Sequence, residues 1–271
     1  MENKTKALEC LNIPRSSFYY KSIKNIKDIE IKNRVEAVLE RHPSYGHRRI
    51  AIELKTNKKK IKRVMTKFDI KPRRSRRKPH KSKSIGVFEP SPNFLVSLFP
   101  LFQNHIWVTD FTYIKWRGRF VYLATVIDLY TREVVGISIK TNHSVLLATE
   151  ALLNALSAND PPAFIHSDQG AEYRSKLFRS ILGEFKILQS MSKKGSPWQN
   201  GYQESFFRNF KVDIGDVNRF KNLGELMAEL YRSIYYYNNE RIHTSLKMPP
   251  KKFARLNEIN YNAIQEKELV V

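Results

Sequence analysis

The chain of 271 residues carries 48 Lys and Arg against 26 Asp and Glu, a formal net charge of +22, and 41% of it is hydrophobic. That supplies the core of one catalytic-sized domain and a smaller module, and the charge favours a polyanionic partner, nucleic acid ahead of an anionic membrane surface. No stretch nears the roughly 18 apolar residues that span a bilayer, the first residues hold no apolar signal segment, and the single cysteine, Cys10, excludes an internal disulfide and suits a reducing cytoplasm.

Residues 1–25 read as a short N-terminal segment, and a helical module spans 26–70. Ile31, Val35, Val38 and Leu39 recur at helical spacing, the segments HPSYGHRRIAIEL and IKRVMTKF follow, and Pro43 and Gly46 mark the first turn. Short helices joined by tight turns and studded with Lys and Arg fit a helix-turn-helix-like DNA-binding module, with Arg48 and Arg49 as candidate contacts. A plain helical bundle with a solvated basic face is the alternative. His42 and His47 lie five apart, but without a Cys pair they read as solvated or DNA-facing histidines rather than zinc ligands.

A basic linker occupies 71–102. Its run KPRRSRRKPHKSKS, Lys71 to Ser84, has no apolar residue and two prolines, so it is expected to be extended. Arg73, Arg74, Arg76 and Arg77 could track a phosphate backbone by releasing counterions, or the run could be a solvated spacer.

From 103 to 220 the pattern becomes that of an α/β domain. HIWVTDFTYI, RFVYLATVIDLY and REVVGISIK are β-branched and aromatic runs joined by short turns, at Gly118 and at Tyr130-Thr131, and predict an antiparallel meander. A helix is expected from about Ser144 to Ser157, with Leu147, Ala151, Leu152 and Ala155 on one face. The strand AFIHSD, a helix near Arg174 to Gly183, the strand FKILQS and a further helix follow. The order β-β-β-α-β-α-β-α is that of a mixed sheet flanked by helices. Residues 221–271 add an amphipathic helix, marked by Leu223, Leu226, Leu230, Ile234 and Tyr237, and a tail.

Three acids stand out by placement. Asp110 lies inside the first strand, where a charge among apolar and aromatic neighbours is expensive unless it is used. Asp168 ends the short strand FIHSD, with Gly170 opening a loop. Glu204 lies in SPWQNGYQESFFRNFK, where Ser196, Pro197 and Gln199 suit a helix start, which would set Glu204 about two turns in. Such carboxylates can hold two divalent ions, Mg²⁺ by preference, with Asp110 bridging both and Asp168 and Glu204 each completing one. Asn200 and Lys211, at i−4 and i+7 from Glu204, are candidates for contacting a base or metal-bound water and a DNA phosphate, or else ordinary surface residues. Asp128, at a hairpin end, reads as a turn residue ahead of a metal ligand, and Asp160 as a loop residue. His166, two before Asp168, either orients the site or packs.

The segments WVTDFTYI, HSDQGAEY and SPWQNGYQESFFRNFK resemble the DDE core of bacterial insertion-sequence transposases of the second-reading-frame type, whose catalytic domain is similar to retroviral integrase. Thirty-five residues separate Asp168 from Glu204, the interval of that family. YGHRRI is similar to its YGYRRI motif, with His47 in place of the tyrosine, and YNNERIHTSLKMPPKKF to its C-terminal signature. There His243 reads best as a structural contact. The resemblance implies a ribonuclease-H-like fold and two Mg²⁺ or Mn²⁺ ions on Asp110, Asp168 and Glu204. It further implies DNA cleavage at transposon ends that frees a 3′-OH, and strand transfer into target DNA. Lys211 would be the family's basic residue seven after the glutamate. It also implies a bacterial cytoplasmic, nucleoid-associated protein acting as a homo-oligomer, with a possible helix-turn-helix partner from an upstream reading frame. The rival readings are a nuclease of the same fold and a non-catalytic DNA-binding regulator.

Overall fold

Turn chemistry and strand alternation set the architecture of this computed structural model, which describes residues 24–74, 91–96, 98–193 and 200–258 together with positions 10 and 14. Arg76 and Arg77, the expected cap at Ser196, Pro197 and Gln199, most of the segment 1–25 and the tail beyond 258 lie outside those residues. The chain divides into two compact units, Met1–Pro72 and Arg73–Val271.

The first unit holds α1 (Lys24–Arg41), α2 (His47–Glu53) and α3 (Lys58–Lys67). Ile31, Val35 and Val38 of α1 are buried, as are Ile50 of α2 and Ile61 and Val64 of α3, so each helix turns one apolar stripe inward. In the first turn His42 stacks on Tyr45, their rings 4.4 Å apart and nearly parallel. Asn57 caps α3 by accepting the Lys59 N–H at 2.8 Å. Asp28, 1% exposed, ties α1 to α3: Arg63 donates to both of its oxygens at 2.5 and 2.8 Å, and Lys67 adds a contact of 3.0 Å. Those donors, Arg63 first, hold the Asp28 carboxyl well below the usual carboxylate range.

The second unit is built on a hairpin. β1 (Ile106–Trp116) and β2 (Arg119–Asp128) are joined by Arg117 and Gly118, both at positive φ (45° and 78°), the two-residue turn whose twist matches that of the strands. β3 (Val134–Lys140) continues the meander. The connection before it is knotted by Asp128, which is fully buried and accepts the Thr131 N–H (2.6 Å), the Thr131 hydroxyl (2.8 Å) and the Asn104 N–H (2.7 Å). With its oxygens committed in this way, Asp128 is the turn residue that the sequence favoured. β4 (Phe164–Ser167) and β5 (Leu188–Met191) extend the sheet in parallel, giving the order β3-β2-β1-β4-β5.

Alternation along the strands divides the core in two. Trp107, Ala124, Val126 and Ile165 face α4 (Val145–Leu156), α5 (Ala171–Arg174) and α6 (Lys176–Glu184). Leu147, Ala151, Leu152 and Ala155 are fully buried on that side, and a Cβ at Gly136 would collide with the Ala151 carbonyl, so β3 can meet α4 only through glycine. Ile106, Val108, Leu123 and Ile127 face α7 (Gly201–Ile214) and α8 (Leu223–Asn239). Leu226, Leu230, Ile234 and Tyr237 of α8 belong to that same core. Beyond it, His243 and Met248 form a bridge that closes a turn, and a helix over 250–258 follows. No helix among the described residues is long and apolar enough to cross a membrane.

Candidate active site

Asp110 sits at the fifth position of β1, on the strand face shared by Ile106 and Val108, and therefore on the α7 side of the sheet. The β1–β4 register pairs Val108 with His166. Asp110 lies two residues further along β1 and Asp168 just past the end of β4, so the parallel register brings the two carboxylates toward each other at the carboxyl edge of β4, where Asp168 acts on Asp110. Asp168 leaves β4 in a tight turn, its Oδ1 accepting the Gly170 N–H at 2.8 Å. A Cβ on Gly170 would lie 2.9 Å from that same oxygen and from Oε2 of Glu172, so glycine keeps the space between two carboxylates open.

Glu204 comes to this edge through its neighbour. Thr125 is the cross-strand partner of Asp110. Its hydroxyl donates to Oε1 of Gln203 at 3.0 Å, while Nε2 of Gln203 donates to the Val108 carbonyl at 2.8 Å and the Thr125 carbonyl at 3.3 Å. Gln203 is fully buried and pins the start of α7 onto β1 and β2, leaving Glu204 exposed beside Asp110. The described helix begins at Gly201, so Glu204 lies in its first turn rather than two turns in as the sequence suggested. The expected proline start falls outside the described residues. The first turn is also the end where a helix favours negative charge.

Electrostatics register the convergence. Burial first, then the charge of Asp168, then that of Glu204 push the Asp110 carboxyl up to about 8, against a single opposing hydrogen bond from the Phe111 N–H (2.8 Å). Asp168 is raised as well, by burial and by Glu172, with the Gly170 N–H and Arg174 working against the rise. Glu172 is itself buried and gripped by His143 at 2.6 Å. Behind the acids Tyr173, fully buried, is held well above its ordinary value by burial and by Asp110 and Asp168. His166 is buried on β4, with Nδ1 2.8 Å from the Ser190 hydroxyl and Nε2 without a partner among the described residues, and burial takes its imidazole down to about 4.

Asn200, the residue before α7, is 5% exposed, and among the described residues neither its Oδ1 nor its Nδ2 has a hydrogen-bond partner. Lys211 reaches across to β1, donating to the Thr112 hydroxyl at 2.7 Å and the Tyr113 carbonyl at 2.9 Å, just beyond Asp110. Arg73 and Arg74 are exposed and precede the sheet in sequence, whereas Arg48 and Arg49 belong to α2. No three His, Cys, Asp or Glu side chains among the described residues close into a ready-made cage for one ion. The all-oxygen donor set, with its uncompensated repulsion, nonetheless fits a hard divalent cation whose shell is completed by water and substrate.

Sequence reasoning missed Gln203 and the Glu172–His143 pair. A signal for Gln203 was present: it heads the stripe continued by Phe206, Phe207, Phe210 and Ile214, where an amide interrupts an apolar face.

Two models of the integrase core domain match the chain, over residues 102–197 and 186–250. The putative transposase InsK of insertion sequence element IS150 from Escherichia coli is 34% identical over 254 residues, covering 89% of each chain. The transposase of insertion sequence element IS904 from Lactococcus lactis is 30% identical, covering 84% of this chain and 94% of that one. Among solved structures, a chain of the simian T-cell lymphotropic virus intasome matches with a TM-score of 0.50 at 16% identity, covering 82% of this chain and 74% of that chain. The fold is thus the ribonuclease-H-like one of integrase cores, and the chain belongs to the insertion-sequence transposases.

Proposed function

We propose that this transposase cleaves DNA at transposon ends and joins the freed 3′-OH to target DNA, with Asp110, Asp168 and Glu204 holding two Mg²⁺ or Mn²⁺ ions. What supports the reading is that acids from a strand, a strand end and a helix start act on one carboxyl, Asp110, which is raised by burial first and then by Asp168 and Glu204. A protein that only bound DNA would gain nothing from negative charge beside phosphates. Bound at these acids, the ions would activate the attacking oxygen and stabilise the leaving one.

The chain's own residues do the positioning. Asp110, in mid-strand, would hold the ions together with Asp168 and Glu204. Gln203 fixes the height of Glu204 over the sheet through Val108 and Thr125. Asn200, whose side-chain amide has no partner among the described residues, suits a base edge or a metal-bound water. Lys211 suits a DNA phosphate, exchanging its contacts on β1 for the stronger anion. Action on paired ends as a homo-oligomer, with end recognition aided by an upstream-frame helix-turn-helix protein, belongs to the same reading.

The test supplies the full chain with a labelled, pre-cleaved transposon end and target duplex. Joined product with Mg²⁺ or Mn²⁺ and none in EDTA is the expected result. Hydrolysis without joining would instead support a nuclease, and the same product in EDTA would overturn the metal assignment.

A further inference from the structure

The helical unit sorts its cations into two classes. On α3, the buried Ile61, Val64 and Met65 fix which side faces in, and the exposed side carries lysines and an arginine in two stripes. Arg63 and Lys67, at i and i+4, lie on one stripe and are spent on Asp28. Lys58 and Lys62, also at i and i+4, lie on the other, and Lys59, four before Arg63, heads the first stripe without pairing with Asp28. All three are exposed, and among the described residues none of them, nor the exposed Arg48 at the start of α2, has an ion-pair partner.

These free cations are gathered rather than scattered. His47 lies among them: burial first, then Arg48, Lys62 and Lys58 hold its imidazole below the ordinary range, so it adds no further charge at pH 7. Their placement also works against the helix. The first turn of α3 contains Lys58, Lys59 and Lys60 and no acid, at the end where the helix dipole favours negative charge. A surface selected only for stability would not carry three lysines there. Arg49, next to Arg48, differs in that its guanidinium lies over the Tyr45 ring.

We propose that Arg48 of α2 and Lys58, Lys59 and Lys62 of α3 form a binding face for the phosphate backbone of duplex DNA, with Arg63 and Lys67 serving instead to lock α3 onto α1. A ten-residue helix is about 15 Å long, matched to a major groove about 12 Å wide, and α3 is the second helix of a helix-turn-helix pair. The inference rests on the reading that this chain acts on DNA, but it involves neither the carboxylates nor metal.

The experiment measures binding of the full chain to a fluorescein-labelled duplex of arbitrary sequence, in EDTA, across a NaCl series. Each phosphate contact contributes roughly 0.9 to the slope of log K against log salt. Lys58→Gln with Lys62→Gln is expected to weaken binding and make the slope shallower by about 2, and adding Lys59→Gln by about one more. The charge-matched control, Lys27→Gln with Arg34→Gln on the exposed side of α1, should leave the slope unchanged. Relieving the α3 dipole should leave thermal stability equal or higher, so a loss of binding is not a loss of folding. Equal slopes for the two double variants, whether both unchanged or both reduced, would overturn the proposal. Because no metal is present, failure here leaves the carboxylate reading standing, and failure of strand transfer leaves this one standing.

Discussion

In the helical unit a buried aspartate is met by two cations; in the sheet unit a half-buried one is met by two more acids. Asp28 is held below the usual range by Arg63 and Lys67, while burial, Asp168 and Glu204 raise Asp110 to about 8. The contrast separates two uses of one side chain. Asp28 is a structural tie, satisfied within the protein. Asp110 is instead held among like charges, and unsettled charge of that kind is what a functional site is expected to carry.

The largest effect expected from breaking this contrast is at Asp110. Asp110→Asn keeps the shape but removes one charge, and strand transfer should fall by about 1000-fold or more, roughly 4 kcal/mol of transition-state stabilisation. In EDTA at pH 9 the same variant should melt a few degrees above the parent, because the parent has to hold three carboxylates charged together. A parent that melts at or above the variant under those conditions would show that the acids do not strain the fold.

Gln203 sharpens the comparison, since it is the device that presses Glu204 toward the other acids. Gln203→Leu strips hydrogen bonds from the Val108 and Thr125 carbonyls and from the Thr125 hydroxyl. A stability loss of about 2–4 kcal/mol is expected, with turnover at saturating DNA down by roughly ten- to hundredfold from a misplaced ligand. Phe206→Leu, a core change on the same helix that costs about 1–2 kcal/mol, serves as control. If it lowers turnover as much, Gln203 acts through stability alone.

The smallest effect is at Asp28. Its folded pKa lies below that of an unfolded aspartate, near 3.9, so its contribution is complete above that pH and is lost as pH falls through the acid range. Protection factors of α1 and α3 amides against hydrogen exchange should therefore fall below about pH 4 in the parent, and Asp28→Asn should abolish that dependence while lowering the protection at pH 7. An unchanged acid profile in the variant would remove Asp28 from the account.

Much of this was legible in the sequence, for identifiable reasons. The hairpin announced itself through Gly118, α4 through the spacing of Leu147, Ala151, Leu152 and Ala155, the strand position of Asp110 through charge among apolar and aromatic neighbours, and that of Asp168 through the end of a short strand before Gly170. What stayed hidden depends on partners distant in sequence. Asp28 meets Arg63 and Lys67 across 35 and 39 residues, and Gln203 meets Val108 across 95. No local pattern encodes those meetings. Glu172 carried no sequence signal of its own, because only the fold brings His143 against it.

The central claim is that Asp110, Asp168 and Glu204 act as one metal-binding site for DNA chemistry. It is tested most directly by Glu204→Gln, with strand transfer of a pre-cleaved end and DNA affinity measured on the same preparation. The account predicts that joining with Mg²⁺ disappears while affinity is equal or slightly higher, because a negative charge beside the phosphates has been removed. Joining that survives the substitution would contradict it.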